Sequence, residues 1–596
     1  MEKNYINERI AALREIMRKK SIDAYIFTGS DAHQSEYVTG YWQSREWISG
    51  FTGSNGIVVV TADEAGLWTD GRYFLQAEKQ LDGTVIKLFK PGENGGQDVP
   101  NYSKWISQKF AEKSEVNIGF DARTLSIAAF NDLKNAIKAT YFFEDIVNEL
   151  WENRPILPIS PAFIHDIKFT GKTSTEKLAE LRAKIQEKKP NALYFTAALD
   201  EIAWITNIRG NDIENTPVVF AYLLVDSQNA WLFIDERKLT SEVKSHLSDF
   251  TICAYDEIFD YVKEKSADKT LLYSPNSSSV SLLNAVPKTA EFKKTFSIIS
   301  DLKAVKNPTE IANMRNAFLK EGVALVRLLK WISELGEIAV DEVDVQEKIA
   351  ALRLEQADCV GDSFTTIAAY GENAAIVHYS PTKESCATVK KEGFLLVDTG
   401  GQYLDGTTDV TRTIAVGKLT DEMRRDFTLV LKGHIALAQA TFLKGISGVN
   451  LDILARQAIW DAHMNYNHGT GHGIGYFLNV HETPPGIAHR PGNPAKALLP
   501  GMLCSNEPGL YKAGKHGIRT ENDMLVTEVT TNEFGTFLAF EIISFCPIDI
   551  TAVDKTLLSP TELAFLNNYH EQVYQKLSPL LTADEQVWLR NATKVI

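Results

Sequence analysis

Residues 394–413 read FLLVDTGGQYLDGTTDVTRT, and the way acids sit against apolar residues here decides how the C-terminal half is understood. Phe394-Leu395-Leu396-Val397 is an apolar strand that Asp398 closes. A carboxylate at the end of a buried strand is costly unless it is paired or holds a cation. Asp409 follows eleven residues later, after a turn-rich stretch in which Asp405-Gly406 is a hairpin signal. Two β segments joined in this way can bring both carboxylates to one end of a sheet. Taken singly, either residue also reads as an Asp that caps a turn.

Two further stretches repeat the pattern. His468-Gly469-Thr470-Gly471-His472-Gly473-Ile474-Gly475 runs on to Asn479-Val480-His481-Glu482, which places three of the twelve histidines within 14 residues. Glycines around His472 let the backbone approach another group closely. Glu507, in Ser505-Asn506-Glu507-Pro508-Gly509, follows a mostly apolar lead-in. Glu521, in Gly517-Ile518-Arg519-Thr520-Glu521-Asn522, precedes Met524-Leu525-Val526. Each carboxylate therefore adjoins expected core. Asp398, Asp409, Glu507, Glu521 and His472 together make a hard, oxygen-rich donor set. Four like charges at close range oppose one another's ionisation. Two divalent cations balance them, +4 against −4. Oxygen donors with a single imidazole favour Mn(II), with Co(II), Zn(II) and Fe(II) as alternatives. Two metals about 3.5–4 Å apart suit hydrolysis.

A new unit is expected to begin near Lys303. Asn307-Pro308-Thr309-Glu310 offers a helix cap, Pro at the first position and Glu at the third. Ile311, Met314, Phe318, Leu325, Leu329 and Ile332 follow at helical spacing, and Gly336 marks the stop. Further helices are expected at about 341–356 and 421–442, with β segments at Gly393–Asp398, Asp409–Val416 and Asp523–Thr530. This is α+β rather than regular βαβ alternation. The tail from Ser559 is helical, with Leu563, Leu566, His570, Val573 and Leu577 on one face.

Upstream, a helix over about 7–20 leads to strands at Ala24–Thr28, Gly56–Thr61 and Ala65–Thr69 and a helix from Gly71 to about Lys79. Asn153–Pro161 holds three prolines and reads as a linker. A weak internal repeat sets DAYIFTGSD (from Asp23) beside NALYFTAALDE (from Asn191), and AGLWTDGRYF (from Ala65) beside NAWLFIDERKL (from Asn229). Two related α/β domains in tandem are expected, 1–156 and 157–302, followed by a catalytic domain over 303–596 with a helical extension from about 556.

The 596 residues are 44% hydrophobic and 23% charged, an ordinary globular composition. A net charge of −15 argues against nucleic acid as partner. There is no apolar run of about 18 residues, so no membrane partner is expected. The charged N-terminus is not a secretory signal. The five cysteines are scattered, with no C-x-x-C pair, which points to a reducing, cytoplasmic compartment.

DTGGQYLDGTTDVTR, HGTGHGIGYFLNVHE, NEPG and GIRTEN resemble the successive signatures of the pita-bread metallopeptidases. Within them the chain is most similar to the Xaa-Pro aminopeptidases of P type in their long, three-domain cytosolic form. The resemblance implies two N-terminal creatinase-N-like domains and a pita-bread catalytic domain. It implies that Asp398 chelates one metal, His472 and Glu507 the other, and that Asp409 and Glu521 bridge both. Glu507 would also shuttle a proton. His378, in AAIVHYSP, would sit beside the substrate, and His481 would contact the scissile peptide. His468 would line the same cleft, and Arg519 would orient the ligands. Arg72, in LWTDGRYF, would reach toward substrate, a salt bridge being the plainer reading of its short motif. Thr483 stands where the pattern has glycine. Homodimerisation is implied as well.

The expected activity is removal of the N-terminal residue from peptides with proline second. A proline imide lacks the N–H that other peptidases bind, so a pocket shaped for the ring can select it. A prolidase limited to Xaa-Pro dipeptides is the alternative within the fold. A non-catalytic pita-bread binding module is the alternative outside enzymology.

Overall fold

A computed structural model describes residues 3–92, 99–336, 338–489 and 496–596. The chain folds as two compact units, Met1–His165 with Lys172–Ile299, and Asp166–Gly171 with Ser300–Ile596.

The first unit contains two six-stranded sheets. One is built from β1 (Ala24–Phe27), β2 (Ile57–Thr61), β3 (Ala65–Trp68), β4 (Ile86–Phe89), β5 (Asn117–Phe120) and β6 (Thr140–Phe142), in the order β4-β3-β2-β1-β5-β6. β1 is buried along its whole length because both sheet faces are covered. Tyr25 and Phe27 join one apolar core with Ile10 and Leu13 of the opening helix, and Ala24 and Ile26 join another with Phe130 and Leu133. That is the period-2 alternation of a central strand. In the second sheet Leu193–Thr196, Ala221–Val225, Ala230–Ile234, Thr251–Cys253, Thr270–Tyr273 and Glu291–Lys294 take the places of β1 to β6. Each pairing direction recurs, from the antiparallel β1–β2 contact to the parallel β5–β6 contact. The weak sequence repeat thus corresponds to a repeated topology.

Two expected helices have different bounds. The one expected from Gly71 runs Phe74–Leu81, because Asp70 accepts hydrogen bonds from the Arg72 amide and guanidinium and holds residues 70–73 in a turn. The one expected over 421–442 ends at Ala438. Thr441–Leu443 instead pairs with Phe537–Ala539 as an edge strand.

In the second unit Asn307 accepts from the amides of Thr309 and Glu310, Glu310 accepts from the Asn307 amide, and the helix runs Pro308–Ser333. Gly336 takes a left-handed φ of +57° just beyond it. Ile367–Tyr370, Phe394–Thr399 and Val410–Ala415 form an antiparallel sheet with Phe394–Thr399 at its centre. Leu395 and Val397 pack on Met314, Phe318 and Val345, while Phe394 packs with Val326, Phe427 and Val430. A six-stranded sheet runs Thr441–Leu443, Gly535–Ile542, Asn522–Asn532, Leu503–Asn506, Gly471–Gly473, Glu482–Ile487. The tail helices are Pro560–Leu577 and Ala583–Ala592. Among the described residues no helix is long and apolar enough to cross a membrane.

Candidate metal centre

Each of the five expected ligands sits at a strand or one residue from a strand end. Asp398 lies on Phe394–Thr399, paired with Thr411. Asp409 immediately precedes Val410–Ala415, His472 is in Gly471–Gly473, Glu507 immediately follows Leu503–Asn506, and Glu521 immediately precedes Asn522–Asn532. Glycines permit the close packing. A Cβ on Gly471 would lie 2.0 Å from the Ser505 carbonyl oxygen, and one on Gly400 would lie 1.8 Å from that of Thr408.

Asp409, His472 and Glu521 each bring one donor atom to within 4.8 Å of the others. His472 Nε2 is 3.5 Å from Asp409 Oδ2 and 3.5 Å from Glu507 Oε1. His472 Nδ1 is 2.8 Å from the Gly473 carbonyl oxygen, which can only accept, so Nδ1 donates there and Nε2 is the ring nitrogen that faces the two carboxylates. Carboxylates crowded together repel unless a cation lies among them. Among the described residues, buried Asp398 Oδ1 and Asp409 Oδ1 have no hydrogen-bond partner, a costly state that a metal bond relieves. Burial first, then the charges of Asp398, Asp523 and Glu507, pushes the Asp409 carboxyl well above the usual carboxylate range. Burial, then Asp409, Glu507 and Asp398, does the same to Glu521. Glu507 is raised by burial, against the opposing pull of His472 and Arg519. The donors present fit divalent cations on these grounds.

Arg519 is fully enclosed and donates from Nη2 to Asp398 Oδ2 and from Nη1 to the Tyr511 hydroxyl at 2.7 Å. The Tyr511 hydroxyl lies 2.8 Å from His468 Nε2, and His468 Nδ1 lies 2.6 Å from the Gly469 carbonyl oxygen. Both ring nitrogens of His468 are thus engaged, with Nδ1 3.8 Å from Glu507 Oε2. The His481 ring meets the His472 ring edge-on at 4.4 Å, and His378 stacks near parallel to His481 at 6.5 Å. Arg72 lies in the first unit, where it pairs with Asp70 at 2.7 Å and stands 4.0 Å from Glu36.

Several contributors escape sequence reasoning. Tyr511 links Arg519 to His468, and Thr411 Oγ1 donates to Glu521 Oε2 at 2.6 Å. Ser505 Oγ accepts from the His472 amide at 3.0 Å. Asp523, fully buried two residues beyond Glu521, has a carboxyl raised by its burial. Arg412 donates to the carbonyl oxygens of Thr411, Glu521, Cys546 and Pro547, tying the strand after Asp409 to the strand after Glu521. The one sequence signal for these residues is proximity to a ligand motif, which does not single them out.

Residues 312–528 match metallopeptidase family M24. Residues 9–156 and 153–310 each match a creatinase/prolidase N-terminal domain, and 536–596 match the C-terminal region of peptidase M24. A "Probable Xaa-Pro aminopeptidase P" of Laccaria bicolor is 41% identical over 98% of this chain and 92% of its own. "Aminopeptidase P2" of Arabidopsis thaliana is 39% identical over 99% of this chain and 88% of its own. The crystal structure of an X-prolyl aminopeptidase from Caenorhabditis elegans, described as a cytosolic enzyme with a di-nuclear active site, superposes with a TM-score of 0.94. It is 35% identical and covers 99% of this chain and 100% of its own. A Xaa-Pro dipeptidase from Bacillus anthracis superposes on 63% of this chain and 99% of its own, with a TM-score of 0.51 and 24% identity, a likeness of fold alone.

Proposed function

Because the chain belongs to the Xaa-Pro aminopeptidase P family within metallopeptidase family M24, we propose that it hydrolyses the N-terminal Xaa-Pro bond of peptides at the acid cluster described above. The observation that carries this is His472 Nε2 facing both Asp409 and Glu507 at 3.5 Å inside a buried cluster, in a chain collinear with an X-prolyl aminopeptidase.

Asp398 would hold one metal, His472 and Glu507 the other, and Asp409 and Glu521 both. A bound pair of divalent cations lowers the pKa of water and polarises a carbonyl. Mn(II) suits four carboxylates and one imidazole, with Co(II), Zn(II) and Fe(II) as substitutes. Glu507 takes the proton of the attacking water and passes it to the proline nitrogen, which as a tertiary amide has none of its own. His481 donates to the oxyanion as it forms, and His378 lies beside the substrate. His468 lines the cleft, and Arg519 holds Asp398 in orientation. Arg72 binds substrate. The enzyme works in the cytoplasm as a homodimer.

The test is release of Arg from Arg-Pro-Pro peptides by purified protein supplied with Mn(II), set beside hydrolysis of the dipeptide Arg-Pro. The aminopeptidase cleaves the longer peptide. Cleavage of the dipeptide alone would make it a prolidase, and cleavage of neither, with metal bound, would refute both.

A further inference from the structure

The segment between His472 and His481 is itself held by the segment between Asp398 and Asp409. Gln402 and Thr407 face each other across the antiparallel pair Gly401–Tyr403 and Gly406–Thr407. The Leu478 amide donates to Thr407 Oγ1 at 3.2 Å, and Thr407 Oγ1 donates to Gln402 Oε1 at 2.8 Å. Gln402 Nε2 donates to the Leu478 carbonyl oxygen at 2.7 Å. Three hydrogen bonds therefore close a ring through both polar backbone groups of one residue. Gln402, Thr407 and Leu478 are all buried, so water does not replace a lost member. Within the loop the Gly475 amide donates to the Asn479 carbonyl oxygen at 3.1 Å, and Phe477 takes a left-handed φ of +48°. The loop returns at His481, whose ring packs on His472 at 4.4 Å.

Past the ring, Val480 packs in the apolar core, and Glu482, next to His481, is paired with both Lys303 and Lys306. His481 therefore stands between two held points, of which the Leu478 ring is the upstream one. We propose that Gln402 and Thr407 are positioning residues for His481, acting through Leu478 and not by touching the substrate. This deepens the assignment above and rests on the reading of His481 as the substrate-facing histidine.

The test is a double-mutant cycle on the metal-loaded enzyme, with kcat, KM and metal content measured for an Xaa-Pro peptide. Thr407→Val and Gln402→Leu should each lower kcat by about 10-fold while leaving KM within about 2-fold and metal content unchanged. Thr407→Ser, which keeps the hydroxyl, should restore wild-type kcat. In a His481→Ala background Thr407→Val should lower kcat no further. An equal loss of kcat in both backgrounds, with His481→Ala itself impaired, would overturn the positioning role alone. Full activity of His481→Ala would overturn the reading of His481 and the proposal with it. Loss of metal alongside activity, or failure of both Thr407→Val and Gln402→Leu to fold, would make the ring structural and refute the proposal.

Discussion

Arg353 and Glu321 are joined by two hydrogen bonds, Nε to Oε2 at 3.0 Å and Nη2 to Oε1 at 2.9 Å, and neither side chain reaches solvent. The pair lies against the segments that carry Asp398 and Asp409. Arg353 Nη2 also donates to Thr399 Oγ1 at 2.6 Å, next to Asp398, and the Tyr403 hydroxyl donates to Glu321 Oε2 at 2.9 Å. Thr408, next to Asp409, donates to the same Glu321 oxygen at 3.3 Å. One buried ion pair thus braces the neighbours of both aspartates.

Breaking that pair on one side unbalances buried charge: without Glu321, Arg353 keeps only its ion pair with the partly exposed Asp362, and without Arg353, Glu321 keeps the Tyr403 and Thr408 hydroxyls. Glu321→Gln or Arg353→Met should each lower unfolding free energy by about 3–5 kcal/mol, read by chemical denaturation at fixed metal concentration. The double variant Glu321→Gln/Arg353→Met should cost less than the sum. Strict additivity would show that the two side chains act independently.

The acid cluster makes stability depend on pH once metal is removed. The folded-state pKa values of Asp409 and Glu521 are raised, so the folded protein binds more protons than the unfolded chain. Stability then falls as pH rises above the ordinary carboxylate pKa of about 4. With chelator present, the unfolding temperature should be lower at pH 8 than at pH 5.5. Added metal should raise it more at pH 8 than at pH 5.5, and metal uptake should release protons. A metal effect independent of pH would contradict the assignment.

Two buried histidines work in the opposite direction. His434 is pushed down to about 3, by burial and then by the Arg412 charge, and His570 to about 4 for the same reasons. The unfolded chain takes up these protons first, so each residue costs stability as pH falls below about 6.5, at roughly 1.4 kcal/mol per pH unit. His570 Nε2 accepts from the Ile548 amide at 3.1 Å, a bond that glutamine can imitate. His570→Gln should be less stable than wild type at pH 7, with the difference shrinking toward pH 4.5. A constant difference would show that His570 is not buried neutral.

Catalytic and substrate-facing residues should separate in their effects. Glu507→Ala should lower kcat by about 10²–10⁴-fold and weaken metal binding. His481→Ala should lower kcat by about 10²–10³-fold with metal content unchanged. Metal loss in the His481 variant, or near-normal turnover in the Glu507 variant, would reverse their roles.

What sequence makes legible here is the cost of an acid beside core. Asp398, Asp409, Glu507 and Glu521 announce themselves because each abuts an apolar run, and glycines mark His472. The duplication is readable from strand-length matches such as Asp23 against Asn191, since each lies just ahead of a central buried strand. The 400–408 hairpin was legible from Asp405-Gly406, yet its turn centres on Leu404-Asp405, because Tyr403 pairs with Gly406. Asp405 is drawn there by Lys320 at 2.9 Å and Asn316 at 2.7 Å, a tertiary pull that overrides the local turn preference. Glu321 with Arg353, and Gln402 and Thr407 with Leu478, are not legible at all. Their partners lie dozens of residues apart, and each residue type by itself is ordinary on a surface.

The most direct test of the account is metal quantification and peptide hydrolysis on one sample of purified protein. About two divalent ions per chain, together with release of the N-terminal residue from an Xaa-Pro peptide that chelator abolishes and Mn(II) restores, is the predicted result. A chain that hydrolyses the peptide with no bound metal, or that holds two metals and does not cleave it, would contradict the account.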